Sequence, residues 1–269
     1  MRCSLLRVCR IFGLTRQAFY KARKIRSLEL FEENKIVQET RRIRRDQPRV
    51  GTRKIYRTLL QMGIQIGRDR LFEILRNHKM LIKKRKRYTK TTNSYHRFRK
   101  HRNLIKDLTA TKPNQVFVSD ITYLDTKEGF CYLALVTDLY SRKIVGWDVS
   151  KSLSVEGCQR ALRMALKGIQ PGSGLIHHSD RGIQYCTPRY TAILENHGVQ
   201  ISMTEENHAY ENAVAERVNG ILKDEFLLGE RLPSFHFATQ LVPSSIKTYN
   251  NLRLHLSLHY KTPAQCYAV

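Results

Sequence analysis

The positive charge of this chain is concentrated in its first 110 residues. Residues 1–110 contain 32 Lys and Arg against 8 Asp and Glu, whereas residues 111–269 contain 16 against 15. A segment with such an excess of cations repels itself unless a polyanion neutralises it, and nucleic acid is the first candidate. The sequence therefore predicts a part that holds nucleic acid, followed by a nearly neutral part with a different task, such as catalysis.

Two other classes of protein are disfavoured. The longest apolar run, residues 130–136, is the length of a strand and far too short to cross a membrane. No Gly-rich phosphate loop is present, which argues against an ATP-driven mechanism. The six cysteines show no metal-binding or redox spacing, so we expect reduced thiols in a cytoplasmic protein: Cys3, Cys9, Cys131, Cys158, Cys186 and Cys266.

The basic part reads as two sets of short helices. Residues 3–24 have the pattern helix, turn, helix, with a break at Gly13 and a suitable N-cap at Thr15. A second set follows, with a helix at residues 30–46, a helix from Thr52 that ends at Gly63, and a third carrying Leu71. Both sets suggest helix-turn-helix DNA-binding units, although ordinary helical hairpins have the same pattern. We assign them to residues 1–28 and 29–82.

A basic segment at residues 83–110 connects the two parts. Tyr88, Tyr95 and Phe98 are interleaved with its cations, a composition that suits contact with a phosphate backbone. A solvated linker without a fixed partner is the alternative. Five consecutive cations open the segment and are predicted to bind DNA: Lys83, Lys84, Arg85, Lys86 and Arg87.

Residues 111–269 alternate strand and helix patterns. Runs rich in β-branched and aromatic residues at 115–124, 130–138 and 143–149 are separated by short turns, which predicts an antiparallel meander. Helices at 155–167, 188–197 and 212–227 then alternate with strands at 175–178 and 199–203. This order predicts an α/β fold in which helices flank a mixed sheet.

Three acidic residues in this second part are candidates for a metal site. Asp120 lies within a predicted strand, Asp180 follows another strand, and Glu216 lies on the last helix, on one face with Lys223. Three carboxylates that meet in this way suit two Mg²⁺ ions, which can stabilise the attacking and leaving oxygens of a phosphoryl transfer. Solvated or salt-bridged acids are the alternative.

The motifs around these acids resemble those of one family, the second-reading-frame (OrfB-type) transposases of bacterial insertion sequences, whose core is similar to that of retroviral integrases. Thirty-five residues separate Asp180 from Glu216, the spacing typical of the family, and Lys223 follows seven residues later. The resemblance covers nearly the whole chain, including the helical segment 34–80. In the second part the matching segments include: Ser119-Asp120-Ile121-Thr122-Tyr123, Asp138-Leu139-Tyr140-Ser141-Arg142, His177-His178-Ser179-Asp180-Arg181-Gly182, Glu211-Asn212-Ala213, Ala215-Glu216-Arg217 and Tyr249-Asn250-Asn251.

The resemblance implies a ribonuclease-H-like fold and a DNA transposase. Asp120, Asp180 and Glu216 would be catalytic and would bind two Mg²⁺ ions, for which Mn²⁺ can substitute. Lys223 would lie against DNA, and Arg253 is also predicted to contact it. Hydrolysis would free a 3′-OH at the element's end, and that hydroxyl would attack a second phosphodiester, without a covalent protein–DNA intermediate.

The resemblance also implies partners. We expect a homo-oligomer on insertion-sequence ends and target DNA, in the bacterial cytoplasm at the nucleoid and without a membrane. The product of an upstream reading frame would join this chain, separately or by frameshift fusion. Two other functions remain open from the residues alone, a non-catalytic DNA-binding regulator and a hydrolase of RNA–DNA hybrids.

Two residues depart from the family pattern. Phe117 stands where the family usually has Trp, and an aromatic packing role would survive that change. Pro243 lies in what is normally an unbroken helix, so it is predicted to kink or restart that helix.

His177 and His178 are interpreted as packing or supporting groups rather than metal ligands.

Overall fold

The computed structural model describes residues 4–83, 98–205 and 212–268. The described residues form two compact units. The first is helical and comprises residues 4–45 and 50–83, and the second contains a sheet and comprises residues 46–49, 98–205 and 212–268. None of the helices in these residues is both long and apolar enough to cross a membrane.

Four helices make up the described helical unit: α1 (Leu5–Ile11), α2 (Arg16–Asp46), α3 (Thr52–Gln61) and α4 (Arg68–Asn77). The sequence predicted two separate helices in this region. The structure has the single helix α2, which no Gly or Pro interrupts. The expected boundary between residues 28 and 29 therefore falls inside a helix. The helix ends before Pro48, whose ring disfavours helical backbone in the preceding residue.

The core of the helical unit joins α2 to α3 and α4. Val37 of α2 packs with Ile55 and Leu59 of α3 and with Leu71 and Leu75 of α4. The turn between α3 and α4 includes Gly63 at φ +78°, a backbone conformation that favours glycine. Helix, turn and helix thus follow in the order expected at this point of the chain.

The second unit contains a mixed sheet of five described strands. These are β1 (Val116–Thr126), β2 (Gly129–Asp138), β3 (Ile144–Ser150), β4 (Ile176–Ser179) and β5 (Gln200–Met203). They lie in the order β3-β2-β1-β4-β5. The first three form an antiparallel meander, whereas β4 runs parallel to β1 and β5. This confirms the predicted fold class and the predicted meander.

Helices cover both faces of the sheet. On one face, α5 (Val155–Leu166), α6 (Ile183–Cys186) and α7 (Pro188–Asn196) contribute to a core that includes Val136. On the other, α8 (Ala213–Glu225) and α9 (Phe235–Asn251) form a core that includes Leu135. Neighbouring residues of β2 therefore point into different cores, as the alternation of a strand requires. The chain continues to α10 (Pro263–Tyr267).

Both departures from the family pattern have a simple structural outcome. Phe117 is fully buried in the core beneath α5, so its aromatic ring keeps the expected packing role. Pro243 lies inside α9, which continues through it as one helix from Phe235 to Asn251. The predicted restart of the helix at Pro243 is therefore wrong. Asp138 shapes the turn after β2, since its Oδ2 accepts the Ser141 backbone N–H at 2.7 Å.

Candidate active site

The register between β1 and β4 places Asp120 and Asp180 at one end of their pairing. The last of the four paired positions joins Ser119 to Ser179. Asp120 and Asp180 each follow these residues directly, so they leave the ladder side by side. The carboxyl end of parallel strands is the usual position of functional groups in such sheets. The structure thus brings together two of the three predicted acids.

Hydrogen bonds orient both carboxylates. Asp120 Oδ1 accepts the Ile121 backbone N–H at 2.9 Å, and Asp120 Oδ2 accepts Asn219 Nδ2 at 2.8 Å. Asp180 Oδ1 accepts the Gly182 backbone N–H at 3.0 Å. A Cβ at Gly182 would lie 2.9 Å from that same oxygen, so a side chain there would push the Asp180 carboxylate out of this position. Each carboxylate keeps further lone pairs for another ligand.

The acids influence one another electrostatically. Burial and the charge of Asp180 raise the pKa of Asp120 to about 7, with a smaller contribution from Glu216. Burial and the charge of Asp180 also raise the pKa of Glu216. Asp120 and Glu216 therefore lose their protons less readily than isolated carboxyl groups do. A cation bound nearby would lower their pKa values again.

Helix α8, which carries Glu216, is attached to β1 beside Asp120. Asn212, at its N-terminus, donates from Nδ2 to the Ser119 carbonyl oxygen at 3.1 Å, and Asn219 bonds to Asp120. Glu216 is exposed in the first turn of this helix. Sequence reasoning missed Asn219, although its position three residues after Glu216 put it on the same helix face.

The donor set suits a divalent cation only in part. Within residues 4–83, 98–205 and 212–268, no three His, Cys, Asp or Glu side chains lie close enough to hold one ion together. Mg²⁺ is, however, often bound by one or two carboxylates and a substrate phosphate, and the Asp120–Asp180 pair fits that requirement. Asn219 Oδ1, beside this pair, is buried without a hydrogen-bond partner among the described residues. Glu216 does not lie close enough to Asp120 and Asp180 to share one ion with both.

The predicted DNA-contacting residues fall into three groups. Lys223 is half-buried in the last turn of α8, the helix of Glu216. Lys83 is exposed where the described helical unit ends. The other four cations of the basic run lie outside the described residues: Lys84, Arg85, Lys86 and Arg87.

Arg253, which the sequence predicted to contact DNA, is buried. Its side chain is 3% exposed and forms a two-pronged ion pair with Glu225, with Nε–Oε2 and Nη2–Oε1 distances of 2.9 and 2.7 Å. The third nitrogen, Nη1, donates to the Leu254 carbonyl oxygen at 3.5 Å. The structure gives no support to the predicted DNA contact of Arg253, because its buried guanidinium is bound to the half-buried carboxylate of Glu225.

The two histidines before Asp180 are supporting groups, as expected. His177 Nε2 lies 2.8 Å from Ser119 Oγ and 3.0 Å from Tyr190 Oη. His178 Nδ1 lies 2.8 Å from Ser202 Oγ. Both rings are buried, and burial lowers the pKa of His177 to about 3, so its imidazole is neutral at ordinary pH.

The helical unit has a basic cleft of its own. Its volume is about 500 Å³, and Arg53 of α3 and Arg68, Asp69, Phe72 and Arg76 of α4 line it. Arg68 is bound to Asp69 at 2.9 Å. The cleft combines cations with an aromatic ring, which suits contact with a phosphate backbone.

Comparisons with known proteins agree with this architecture. Two models of the integrase core domain match residues 110–209 and residues 197–263. The chain is 35% identical over 266 residues to the insertion element IS600 uncharacterized 31 kDa protein of Shigella sonnei, covering 96% of each chain. It is also 30% identical over 258 residues to transposase InsF for insertion sequence IS3A of Escherichia coli, covering 94% of this chain and 90% of the relative.

A further relative and one solved structure extend the comparison. The transposase for insertion sequence element IS904 of Lactococcus lactis is 35% identical over 221 residues, covering 80% of this chain and 86% of the relative. A chain in the cryoEM structure of the simian T-cell lymphotropic virus intasome shares the fold, with a TM-score of 0.52 and 17% identity over 80% of this chain and 70% of that one. The chain belongs to the IS3-type insertion-sequence transposases of the second-reading-frame kind, and its second half is an integrase core domain.

Proposed function

We propose that this transposase cuts and joins the ends of its insertion sequence with Asp120, Asp180 and Glu216 as its catalytic, metal-binding residues. The observation that carries the proposal is the end of the β1–β4 ladder, where Asp120 and Asp180 lie side by side. The charge of Asp180 helps raise the pKa of Asp120 to about 7. Two repelling carboxylates are a costly arrangement for stability alone, and they suit a site that takes up a divalent cation.

Asp120, Asp180 and Glu216 would hold two Mg²⁺ ions, with Mn²⁺ able to substitute. When bound, these ions stabilise the charge on the attacking and leaving oxygens of a phosphoryl transfer. Asn219 and the Ile121 N–H fix the two oxygens of Asp120, and the Gly182 N–H fixes one oxygen of Asp180. The carboxylates are thus oriented before DNA arrives. Glu216 would have to approach this pair from the adjoining helix to complete the set.

The chemistry would take two steps at phosphodiesters. Water first hydrolyses a phosphodiester at the element's end and frees a 3′-OH. That hydroxyl then attacks a second phosphodiester and joins the strands, exchanging one phosphodiester bond for another. No protein side chain acts as a nucleophile, so the residues of the site orient and stabilise rather than form covalent intermediates.

The basic half would hold the DNA. The cleft with Arg53, Arg68 and Arg76 presents guanidinium groups on the helical unit. Lys83 is exposed, and the cations that follow it in the sequence, Lys84–Arg87, would add to the DNA contact. Lys223 lies on the Glu216 helix and would contact DNA beside the reacting phosphate. Phosphate contacts of this kind give salt-dependent affinity and fix the register of the duplex.

Partners and location belong to the same proposal. We expect the transposase to act as a homo-oligomer on paired element ends, with the product of the upstream reading frame present or fused to it. The site of action would be the nucleoid in the bacterial cytoplasm. Both expectations come from the resemblance to the transposase family.

Strand joining in vitro tests the proposal. The substrate is a labelled duplex of the element's end, pre-nicked to expose the 3′-OH, and the protein is the full chain, alone and fused to the upstream product. We expect joining in Mg²⁺ or Mn²⁺, with losses of at least about a thousandfold for Asp180→Asn and Glu216→Gln. Glu156→Gln, an exposed acid at the start of α5, is the matched control. Full activity of Asp180→Asn would overturn the assignment.

A further inference from the structure

The strand that carries Asp180 to its position is unusually polar for its place in the sheet. β4 lies between β1 and β5 and is parallel to both, and such strands are normally near-continuous apolar runs. Three of its four residues are nevertheless polar, and none of these is more than 1% exposed: His177, His178 and Ser179. Buried polar groups are costly unless hydrogen-bonded, so apolar residues would stabilise this strand more simply.

One group of hydrogen bonds links β4 to β1 and α7. His177 Nε2 lies 2.8 Å from Ser119 Oγ and 3.0 Å from Tyr190 Oη, and all three residues are buried. Ser119 directly precedes Asp120, and His177 lies three residues before Asp180. We call these three side chains the Ser119–His177–Tyr190 triangle. Through Ser119 and His177, the triangle lies on the two strands that carry the chain to Asp120 and Asp180.

The triangle distinguishes one strand register from another. Only four residue pairs, from Val116 with Ile176 to Ser119 with Ser179, join β1 to β4. A slip by one residue moves a strand by about 3.3 Å and turns its side chains to the opposite face. Because both faces of this sheet are covered by helices, apolar side chains would tolerate such a slip. Hydrogen bonds of fixed geometry would not.

We propose that Ser119, His177 and Tyr190 are positioning residues that hold β4 in register with β1 and thereby hold Asp180 beside Asp120. The inference rests on the proposed function of those two aspartates. Ser119 is well placed for this task, because its carbonyl oxygen also accepts Asn212 Nδ2 from the start of α8. The residue before Asp120 is therefore held from both faces of the sheet.

The chain offers matched controls for both hydroxyl groups. Ser179 Oγ and Tyr185 Oη are also buried, but neither has a hydrogen-bond partner in the described part of the chain. Ser179 is the register partner of Ser119, and the Tyr185 ring lies 5.3 Å from the Tyr190 ring. Ser119→Ala and Ser179→Ala therefore remove the same atom with and without the triangle's bond. Tyr190→Phe and Tyr185→Phe do the same for the phenol.

The test is Mg²⁺ binding by the full chain, measured from the rise in Tm as Mg²⁺ is titrated. This readout needs no catalytic activity. We expect Ser119→Ala and Tyr190→Phe to raise the Kd for Mg²⁺ by about 10- to 100-fold, as loss of a group that orients a metal ligand does. Ser179→Ala and Tyr185→Phe should bind Mg²⁺ as wild type does. The double variant Ser119→Ala/Tyr190→Phe should be no weaker than the weaker single variant, because both hydroxyls act through His177.

Strand joining gives a second readout. The two triangle variants should need about 10- to 100-fold more Mg²⁺ for half-maximal joining while their Kd for end DNA stays at the wild-type value. A variant that is only less stable would not need more Mg²⁺ while binding DNA as tightly as wild type. Tyr190→Phe keeps the buried ring, so it decides the matter even if Ser119→Ala is poorly folded.

Two results would overturn the inference. One is a wild-type Kd for Mg²⁺ in both triangle variants, and the other is an equal loss of affinity in triangle and control variants. Asp180→Asn separates this inference from the proposed function. If Asp180→Asn abolishes the Mg²⁺ response but the triangle variants retain it, only the positioning role is wrong. If Asp180→Asn responds to Mg²⁺ like wild type, the metal site itself is wrong, and the positioning role falls with it.

Discussion

The carboxyl of Asp120 is partly removed from water and lies within reach of the charge of Asp180. Both effects disfavour its ionised form and raise its pKa from 3.8 to about 7. A carboxyl whose pKa is higher in the folded than in the unfolded state binds its proton more tightly when folded. The stability that this group contributes is therefore present below about pH 4 and is lost as pH rises to about 7.

We expect Asp120→Asn to stabilise the metal-free protein at pH 7 by on the order of 1 kcal/mol, after allowance for partial exposure of the site. The neutral amide removes the repulsion from Asp180, and its single oxygen can accept either the Ile121 N–H or Asn219 Nδ2, but not both. Urea denaturation between pH 4 and 8 in EDTA measures the effect. Asp125→Asn, on the same strand but with a side chain 47% exposed and remote from Asp180, is the control. An Asp120→Asn protein less stable than wild type at pH 7 would contradict this account.

The Arg253–Glu225 pair is a second prediction at the residue scale. Replacing Arg253 by Met would leave Glu225 largely buried without its partner, which costs about 3–5 kcal/mol of unfolding free energy. The double variant Arg253→Met/Glu225→Met should recover most of that loss. Denaturant unfolding measures both, and DNA affinity should stay unchanged in the folded variants. Weaker DNA binding by Arg253→Met at unchanged stability would instead support the predicted DNA contact of Arg253.

At the scale of elements, the strands were the most predictable part of the fold. Each predicted strand of the meander overlaps its observed counterpart to within two residues at either end, because β-branched and aromatic runs bounded by turn residues mark strands well. Short helices and continuous helices were harder. The single turn of α6 (Ile183–Cys186) lacks a period to detect, and the joined helix α2 shows that a change in apolar pattern need not break a helix.

The contact between β3 and α5 gives a prediction for these elements. A Cβ at Gly146 of β3 would overlap the Ala161 carbonyl oxygen and lie 2.9 Å from Ala165 Cβ, both on α5. We expect Gly146→Ala to destabilise the protein by about 1–3 kcal/mol or more, because the helix must move away from the sheet. Thermal unfolding measures the loss. Gly51→Ala has open space around the added methyl group and should change Tm little. A wild-type Tm for Gly146→Ala would show that the two elements pack less closely.

At the scale of the whole molecule, the site was predictable in part. Motifs and spacing single out Asp120, Asp180 and Glu216 as candidates, and strand order explains why the first two lie together. Partners far apart in sequence were not recognisable. The sequence around Arg253 contains no pattern that predicts its ion pair with Glu225. Ser119 contacts His177 because β1 lies beside β4 in the sheet. Such contacts depend on sheet order, which periodicity along one chain does not encode.

The uneven charge of the molecule predicts strongly salt-dependent DNA binding. If the basic half neutralises 6–10 phosphates, affinity should fall by about 10³- to 10⁵-fold between 50 and 200 mM salt. Arg53→Gln and Arg76→Gln, in the cleft of the helical unit, should each reduce the slope of log K against log salt by about 1. Arg160→Gln should leave the slope unchanged, because Asp148 already binds that guanidinium at 2.7 and 2.8 Å. Unchanged slopes for both cleft variants would place the DNA elsewhere.

We propose that Asp120, Asp180 and Glu216 together form the metal centre of a DNA strand transferase. The most direct test of this proposal is the anomalous scattering of Mn²⁺ in crystals of the full chain bound to its own element's end. We expect Mn²⁺ peaks within about 2.0–2.3 Å of carboxylate oxygens of all three residues, next to the phosphate at the end of the element. Mn²⁺ bound to DNA and coordinated by none of these carboxylates would contradict it.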